Sequence, residues 1–557
     1  MYKLINRCFF LLAGLFLLVP LVAQEEIKDW YQQGPANDMP NGIASEEWYA
    51  SAPVTKSRKI IVAVIDCGVD IHHPDLKNNI WINPGEIAGN HKDDDGNGYV
   101  DDVTGWNFLG GPDGKSVIKE SLEVTREYAK GRNMWDHMDT LHLTGKMKKK
   151  YKEYVAVKSI VETKLQNSKA HIGQVEEMET VVMRSLNAAK NELNGDSLNL
   201  DKMEKSKNED VQTAVKIIRN VQDQGMEVKS IDWLIDVATK EFEDQKNADE
   251  AKIKYTYNPD YNAREIVGDN YTDFANRFYG NNIVDGEFDF HGTHVSGIIA
   301  AERNNDLGIN GIADNVAVMA LKVVPDGDER DKDVANAIRY AVDNGAEVIN
   351  MSFGKGYSPE KFLVDDAVKY ASKHDVLLVL GAGNESTNVD VKPGFPNDTY
   401  AKKSLFGPRE AKNFVTVGAL SPDGGEQAIA EFSNYGKKGV DVFAPGVYIY
   451  STTPDGNYEY ASGTSMSSPV VAGVAAMIRS RYPKLSAPQV KGILIKSSRK
   501  LPEKVIEPGT YDLVSSDQLG VGGAVDMPAA MKLAGQTKGK RKASTMHAEY
   551  VQPKQKT

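Results

Sequence analysis

Two spacings of apolar residues divide this chain. The run Lys59-Ile-Ile-Val-Ala-Val-Ile-Asp66 is continuous and β-branched, the pattern of a strand covered on both faces of a parallel sheet. Glu347–Ser352 and Val376–Leu380 repeat that pattern, and Val316–Val324, Asp333–Asn344 and Phe362–Lys373 supply further alternating strands and helices. The alternation predicts an α/β fold with a doubly wound, mostly parallel sheet. The stretch Asp113–Asn258 behaves differently. It holds no proline, although the protein has 23, and its apolar residues recur at helical spacing. Tyr151, Tyr154, Val155 and Ile160 form one such set; Val211, Ala214, Val215, Ile218 and Val221 form a second; Ile231, Leu234, Ile235, Ala238 and Phe242 form a third. The expected organisation is a discontinuous sheet domain over 59–112 and 260–535, interrupted by an all-helical insertion over 113–259. A polar extension packed on the surface (24–58) precedes it, and a basic, disordered tail (536–557) follows.

Composition adds compartment and excludes some partners. With 41% hydrophobic and 26% charged residues the chain reads as a soluble globular protein, and a net charge of −12 argues against nucleic acid. Only Lys538–Lys542 is a basic cluster. Residues 1–23 carry Lys3 and Arg7 ahead of the apolar run Phe9–Ala23, broken by Pro20, which is short for a membrane span and suits a secretory signal cleaved near Ala23-Gln24. A retained anchor is the alternative; no other stretch could cross a bilayer. Cys8 falls within that segment and leaves Cys67 alone, so an exported product, periplasmic or extracellular, would depend on its core and bound ions rather than on disulfides. Oligomeric state is not legible.

Candidate chemistry gathers at element ends. Asp66 closes the first strand, at the edge where such sheets place ligands, although a turn or capping aspartate has the same local look. His291 opens the small-residue helix His291-Gly-Thr-His-Val-Ser-Gly297, and His294 three residues on raises a zinc alternative that lacks a third ligand. Asn384, in Gly381-Ala-Gly-Asn384, ends another buried strand. Ser465, in Gly463-Thr-Ser-Met-Ser-Ser-Pro469, precedes a helix that is apolar all round; Pro469 suits a first turn, which would put Ser465 among unpaired N–H groups. A serine-rich helix cap is the plainer reading of those letters. Asp93, Asp95, Asn97, the Tyr99 carbonyl and Asp101 match five positions of a calcium loop, but Thr104 stands where the bidentate glutamate belongs, so a structural calcium site of another type is expected. His137 and His142, near Asp136 and Asp139, read as surface histidines before they read as a metal site.

A nucleophile, a base and an orienting acid in the order Asp66, His291, Ser465, each beside glycine, resemble the subtilisin-like serine proteases, the subtilase family. The resemblance rests on Val64–Asp70, His291–Gly297, Gly381–Asn384 and Gly463–Pro469. It implies a Ser465 nucleophile, a His291 base, an Asp66 orienter and an oxyanion site from Asn384 and the Ser465 N–H. It also implies that Ser352, Phe353 and Gly354 pair with an extended polypeptide substrate, and that Gly394 with Phe395 and Pro396 closes a specificity pocket. Three departures stand out: Cys67 replaces a small hydroxyl residue beside the aspartate, the helical insertion separates acid from base, and the region before residue 59 is too short for the usual propeptide. The expected activity is an exported serine endopeptidase. The alternative is a catalytically silent scaffold whose insertion binds a partner.

Overall fold

Seven parallel strands form the central sheet of the structure, a computed structural model that describes residues 28–37, 39–51, 56–139, 142–223, 225–402, 407–542, 545 and 550. The expected signal segment lies outside the described residues. The strands are β1 (Ile60–Asp66), β2 (Gly105–Asn107), β3 (Val316–Lys322), β4 (Ala346–Met351), β5 (Leu377–Gly381), β6 (Phe414–Leu420) and β7 (Val442–Pro445), in the spatial order β2-β3-β1-β4-β5-β6-β7. Every residue of β1, β3 and β4 is buried, as their unbroken apolar runs predict. The chain passes from β3 to β4 across β1, so the order reverses there, and the carboxyl end of β1 is the point where a ligand crevice opens.

The helix Thr464–Arg481 packs on β4 to β7 and on the helix Phe290–Ala300, and nearly all of its residues are buried. Small residues make that approach close: a Cβ on Gly473 would stand 2.8 Å from Ile312. Val470, Val471, Val474 and Ile478 are each fully covered, contributing roughly 1.5–3 kcal/mol apiece. Pro469 is not in the first turn, as expected, but sixth in the helix. Its missing N–H would leave the Ser465 carbonyl unpaired, and the Ser352 hydroxyl fills the gap by donating to that carbonyl at 2.8 Å. Two antiparallel hairpins complete this unit: β8 (Ile449–Thr453) with β9 (Asn457–Ala461), and β10 (Lys504–Ile506) with β11 (Leu513–Ser515).

Contacts divide the described chain into two compact units, 124–261 and 28–123 with 262–557. The first is helical, with the long helix Gly145–Leu193 packed on both Glu209–Asp223 and Ile231–Ala251. Its core joins Val175, Met178, Val182 and Leu186 to Val211, Ile218, Leu234 and Phe242. The stripe on the long helix differs from expectation: Tyr154, Val157 and Val161 are buried, whereas Val155 and Ile160 are exposed because they fall outside that three-and-four spacing.

Two segments expected at the surface are tied into the sheet unit. Trp30, Tyr31 and Ile43 of the N-terminal extension are buried, Asn41 donates to the Ser421 carbonyl at 2.8 Å, and the Met527 N–H bonds the Ile43 carbonyl at 2.9 Å. The stretch 538–542, expected to be a free tail, is held by Gln489, which bonds the Lys538 carbonyl and the Lys540 N–H, both at 2.8 Å. Arg541 reaches Glu347 at 2.8 Å. The carboxylate supplies what a basic, solvated end would lack, a buried counter-charge. Among the described residues no helix is long and apolar enough to cross a membrane.

Candidate active site

The strand β1 delivers Asp66 to the carboxyl edge, where it is 1% exposed. Its Oδ1 accepts the Cys67 N–H at 2.8 Å and pairs with His291 Nδ1 at 2.7 Å. An ionised carboxylate fixes the proton on Nδ1 and leaves Nε2 as the basic nitrogen. The helix bearing His291 comes this close because Gly292 has no side chain: a Cβ there would lie 1.9 Å from the Gly68 carbonyl. Burial alone would pull the imidazole below its ordinary pKa, but the charge and hydrogen bond of Asp66 outweigh it and hold His291 above 6.5. Burial and the charge of Asp66 both push the Cys67 thiol up, so it is an inert, protonated group.

Ser465 is the second residue of its helix, and its hydroxyl donates to the Ser352 carbonyl at 3.0 Å. Ser352 is oriented by Asn350, which donates to its hydroxyl at 2.9 Å, and Ser468 donates to the Asn350 oxygen at 2.7 Å. Asn384 enters from the end of β5. Its Oδ1 accepts the Thr464 N–H at 2.9 Å and the Thr464 hydroxyl at 3.0 Å, which leaves its Nδ2 donors without partners among the described residues. The close approach of β5 to this helix needs Gly381, where a Cβ would stand 2.9 Å from the Thr464 carbonyl.

These two clusters rest on adjacent positions of one sheet edge. Ile65 pairs with Met351 across β1 and β4, and Asp66 and Ser352 are the next residues along the chain. Asp66 holds His291, Ser352 holds Ser465, and the two helices that carry them pack together. The hydroxyl is turned to Ser352 rather than to His291 in this arrangement. Thr464, Asn350 and Ser468 escaped the reading of the sequence; only their places within or beside the motifs could have marked them.

His294 points elsewhere. Its Nε2 meets the carbonyls of Ile449 and Glu459, each at 3.1 Å, and burial pulls its pKa down to about 4, so it is a neutral donor to the β8–β9 hairpin. The two histidines therefore serve different partners, which removes the zinc alternative. Phe353 and Gly354 follow β4 toward a two-way backbone pair, Lys355 N–H to Phe395 carbonyl at 2.9 Å and Phe395 N–H to Lys355 carbonyl at 3.0 Å. Gly354 and Gly394 are exposed on either side of that pair.

The acidic loop assembles differently from its spacing. Asp93 accepts the N–H groups of Asn97 and Gly98, and Asp101 accepts those of Gly89 and His91, so both carboxylates close turns. The Asn97 amide donates to Asp95 and Asp102, and its oxygen takes the Tyr99 N–H. Of the three expected carboxylates only Asp95 joins a convergent set among the described residues, with Glu86 and Asp102, whose oxygens lie within 4.8 Å of one another. Burial raises the Asp102 pKa to about 6, against hydrogen bonds from Tyr340, Asn97 and Asn83.

A family profile described as the subtilase family matches residues 57–522. A thermophilic serine proteinase of Bacillus sp. strain AK1 is 38% identical over 230 residues, which cover 41% of this chain and 50% of that protein. Subtilisin DY of Bacillus licheniformis is 37% identical over 214 residues, 38% of this chain and 71% of that protein. A cell wall-associated protease of Bacillus subtilis strain 168 is 32% identical over 252 residues, 45% of this chain. The chain thus spans half the length of the first of these relatives and 26% of the last.

Proposed function

The chain belongs to the subtilase family, and from that premise we propose that it is an exported serine endopeptidase acting on polypeptides through Ser465, His291 and Asp66. The observation that carries the proposal is the 2.7 Å Asp66–His291 bond, anchored one strand away from the Ser352–Ser465 bond on the same sheet edge. In the proposed reaction the Ser465 hydroxyl leaves the Ser352 carbonyl and turns toward His291 Nε2. Its oxygen then bonds the scissile carbonyl carbon while its proton passes to Nε2. The peptide C–N bond breaks as that proton moves to the leaving amine, and water repeats the sequence on the acyl-enzyme. The carbonyl oxygen, negative in between, is met by the unpartnered Nδ2 of Asn384 and the Ser465 N–H at a helix N-terminus. Phe353 and Gly354 would pair their main chain with an extended substrate, and Gly394 would leave room beside Phe395 for a large side chain.

Labelling with a fluorophosphonate tests this reading against a silent scaffold. Wild-type protein is expected to be labelled on Ser465 and Ser465→Ala not at all; equal labelling of both, or none of folded wild type, counts against it. Export is supported by the basic and apolar pattern of residues 1–23.

A structural calcium ion, which the family implies, fits the loop. Glu86, Asp95 and Asp102 would hold it, and Glu86 Oε2 is buried without a hydrogen-bond partner among the described residues. The ion would neutralise three converging carboxylates and tie 86–102 together. Calcium at about a hundred times its Kd is expected to stabilise the protein by about 2.7 kcal/mol. The Asp95→Asn/Glu86→Gln variant should lose most of that response in calorimetry with and without chelator. An equal response from both proteins would exclude this loop as the site.

A further inference from the structure

Lys355 follows the stretch Ser352–Gly354 directly, and the proposed chemistry makes no use of its side chain. Lysine is seldom fully buried unless paired, yet this side chain is 1% exposed. An ammonium has three donors, and three acceptors meet this one: Glu123 Oε2 at 2.9 Å, Asp331 Oδ1 at 3.0 Å and the Glu329 carbonyl at 2.7 Å. Those acceptors are themselves fixed. Asp331 takes the Ser358 hydroxyl and the Glu360 N–H, both at 2.9 Å, and the Glu123 N–H is held by Asp328 at 2.8 Å. Lys355, Glu329, Asp331 and Pro396 line one small cavity, where burial pushes the Glu329 carboxyl up despite the charge of Lys355.

A buried ion pair is a poor source of stability, because desolvation offsets the attraction; what it supplies is direction. An apolar side chain of the same length would fill the space without requiring three acceptors in place. Here the direction passes into the main chain. The Lys355 N–H and carbonyl exchange hydrogen bonds with Phe395 at 2.9 and 3.0 Å. Gly354 and Gly394 each precede one member of that pair, and both are exposed.

We propose that Lys355 is a positioning residue for peptide binding: its ammonium, locked among Glu123, Asp331 and the Glu329 carbonyl, sets the spacing of the Gly354 and Gly394 main chains from their buried side. The inference rests on the peptidase reading above, in which 353–354 pair with an extended substrate and Gly394 admits its side chain. Without the lock, the pair with Phe395 can shift, and an extended substrate is held less tightly both before and during reaction. Ser465, His291 and Asp66 have no contact with the lock and keep their own partners.

The test uses Glu123→Gln/Lys355→Met, which removes one charge of each sign, roughly keeps side-chain size and leaves Asp331 with Ser358 and Glu360. Glu123→Gln alone is the milder change, since Lys355 keeps Asp331 and the Glu329 carbonyl. Cleavage of an extended peptide and labelling by a small fluorophosphonate are followed per folded molecule, with folding read by thermal unfolding. The double variant is expected to raise KM by about tenfold, while kcat and the labelling rate stay within about twofold. Glu123→Gln should raise KM by about threefold. An unchanged KM in the folded double variant overturns the proposal, whatever happens to its melting temperature. So does a labelling rate that falls as far as kcat/KM, because the damage then lies at Ser465 rather than at the substrate edge. Should the double variant not fold, Glu123→Gln decides by the same two criteria. Wild type that neither labels nor cleaves removes the role of Lys355 together with the peptidase reading; wild type that cleaves with a KM indifferent to both variants removes that role alone.

Discussion

Replacement of Asp66 by asparagine is expected to lower kcat by about 10⁴-fold, the size of this effect in serine proteases generally, and to move the acid limb of the pH–rate profile to lower pH. The geometry says why both changes belong together. Asp66 Oδ1 receives two N–H groups, from Cys67 and from His291, and an amide oxygen can keep both. The ring therefore stays oriented while the charge is lost. The new NH₂ replaces Oδ2, a buried atom with no hydrogen bond, and adds an unsatisfied donor costing about 1–3 kcal/mol. The imidazolium formed during attack then lacks its counter-charge in a low-dielectric site. For the pH profile, catalysis needs neutral His291, so the rate falls as pH drops through its pKa. In the native protein burial pulls that pKa down but Asp66 holds it above 6.5. Without the charge, burial governs, and the limb shifts downward. A loss smaller than tenfold would end the role given to Asp66; a large loss with an unmoved limb would show that Asp66 does not set the basicity of His291.

The candidate site was legible because Asp66, His291, Asn384 and Ser465 each stand within two residues of a glycine at an element end, and glycines near them are points of close approach. Gly292 against Gly68 and Gly381 against Thr464 are cases in point. What the letters could not show is which oxygens a fold spends on itself. Asp93 and Asp101 have the spacing of ligands yet also accept turn N–H groups, while Glu86, which converges with Asp95, precedes the motif and Asp102 is oriented by Tyr340 from 238 positions away. Pro469 misled for a related reason: a partner for the Ser465 carbonyl comes from Ser352, just past β4, so the proline sits a turn deeper than local rules allow. The strap at 28–51 reads as polar because it has no periodicity, although Trp30 and Tyr31 are core residues. Long-range partners decided each of these, and no local pattern encodes them.

A second large effect is expected at the amino edge of the same sheet, where Glu347→Gln should destabilise the protein by about 3–5 kcal/mol. Glu347 is buried in β4 and meets three guanidinium groups: Arg58 ahead of β1, Arg479 at 2.9 Å and Arg541 at 2.8 Å. Asp375 takes Arg479 and Arg541 as well, each at 3.1 Å. Three cations face two carboxylates, so removing one leaves an excess of positive charge that buried groups cannot shed. Burial alone would raise the Glu347 pKa, but the arginines overcome it and hold it at about 2, against 4.5. A depressed carboxylate pKa contributes stability that is complete above about 4.5 and is lost as pH falls through 2, amounting to about 3 kcal/mol at neutral pH. Urea unfolding should therefore separate Glu347→Gln from its parent widely at pH 7 and progressively less toward pH 2, with both proteins carrying Ser465→Ala to prevent self-digestion. Equal midpoints at pH 7, or a gap that does not narrow in acid, would refute the argument. The helix Thr464–Arg481 carries Ser465 at one end and Arg479 roughly 20 Å away at the other. In an active background the folded fraction should thus fall while kcat per folded molecule holds, because what Glu347 secures is the far end of the helix that carries Ser465.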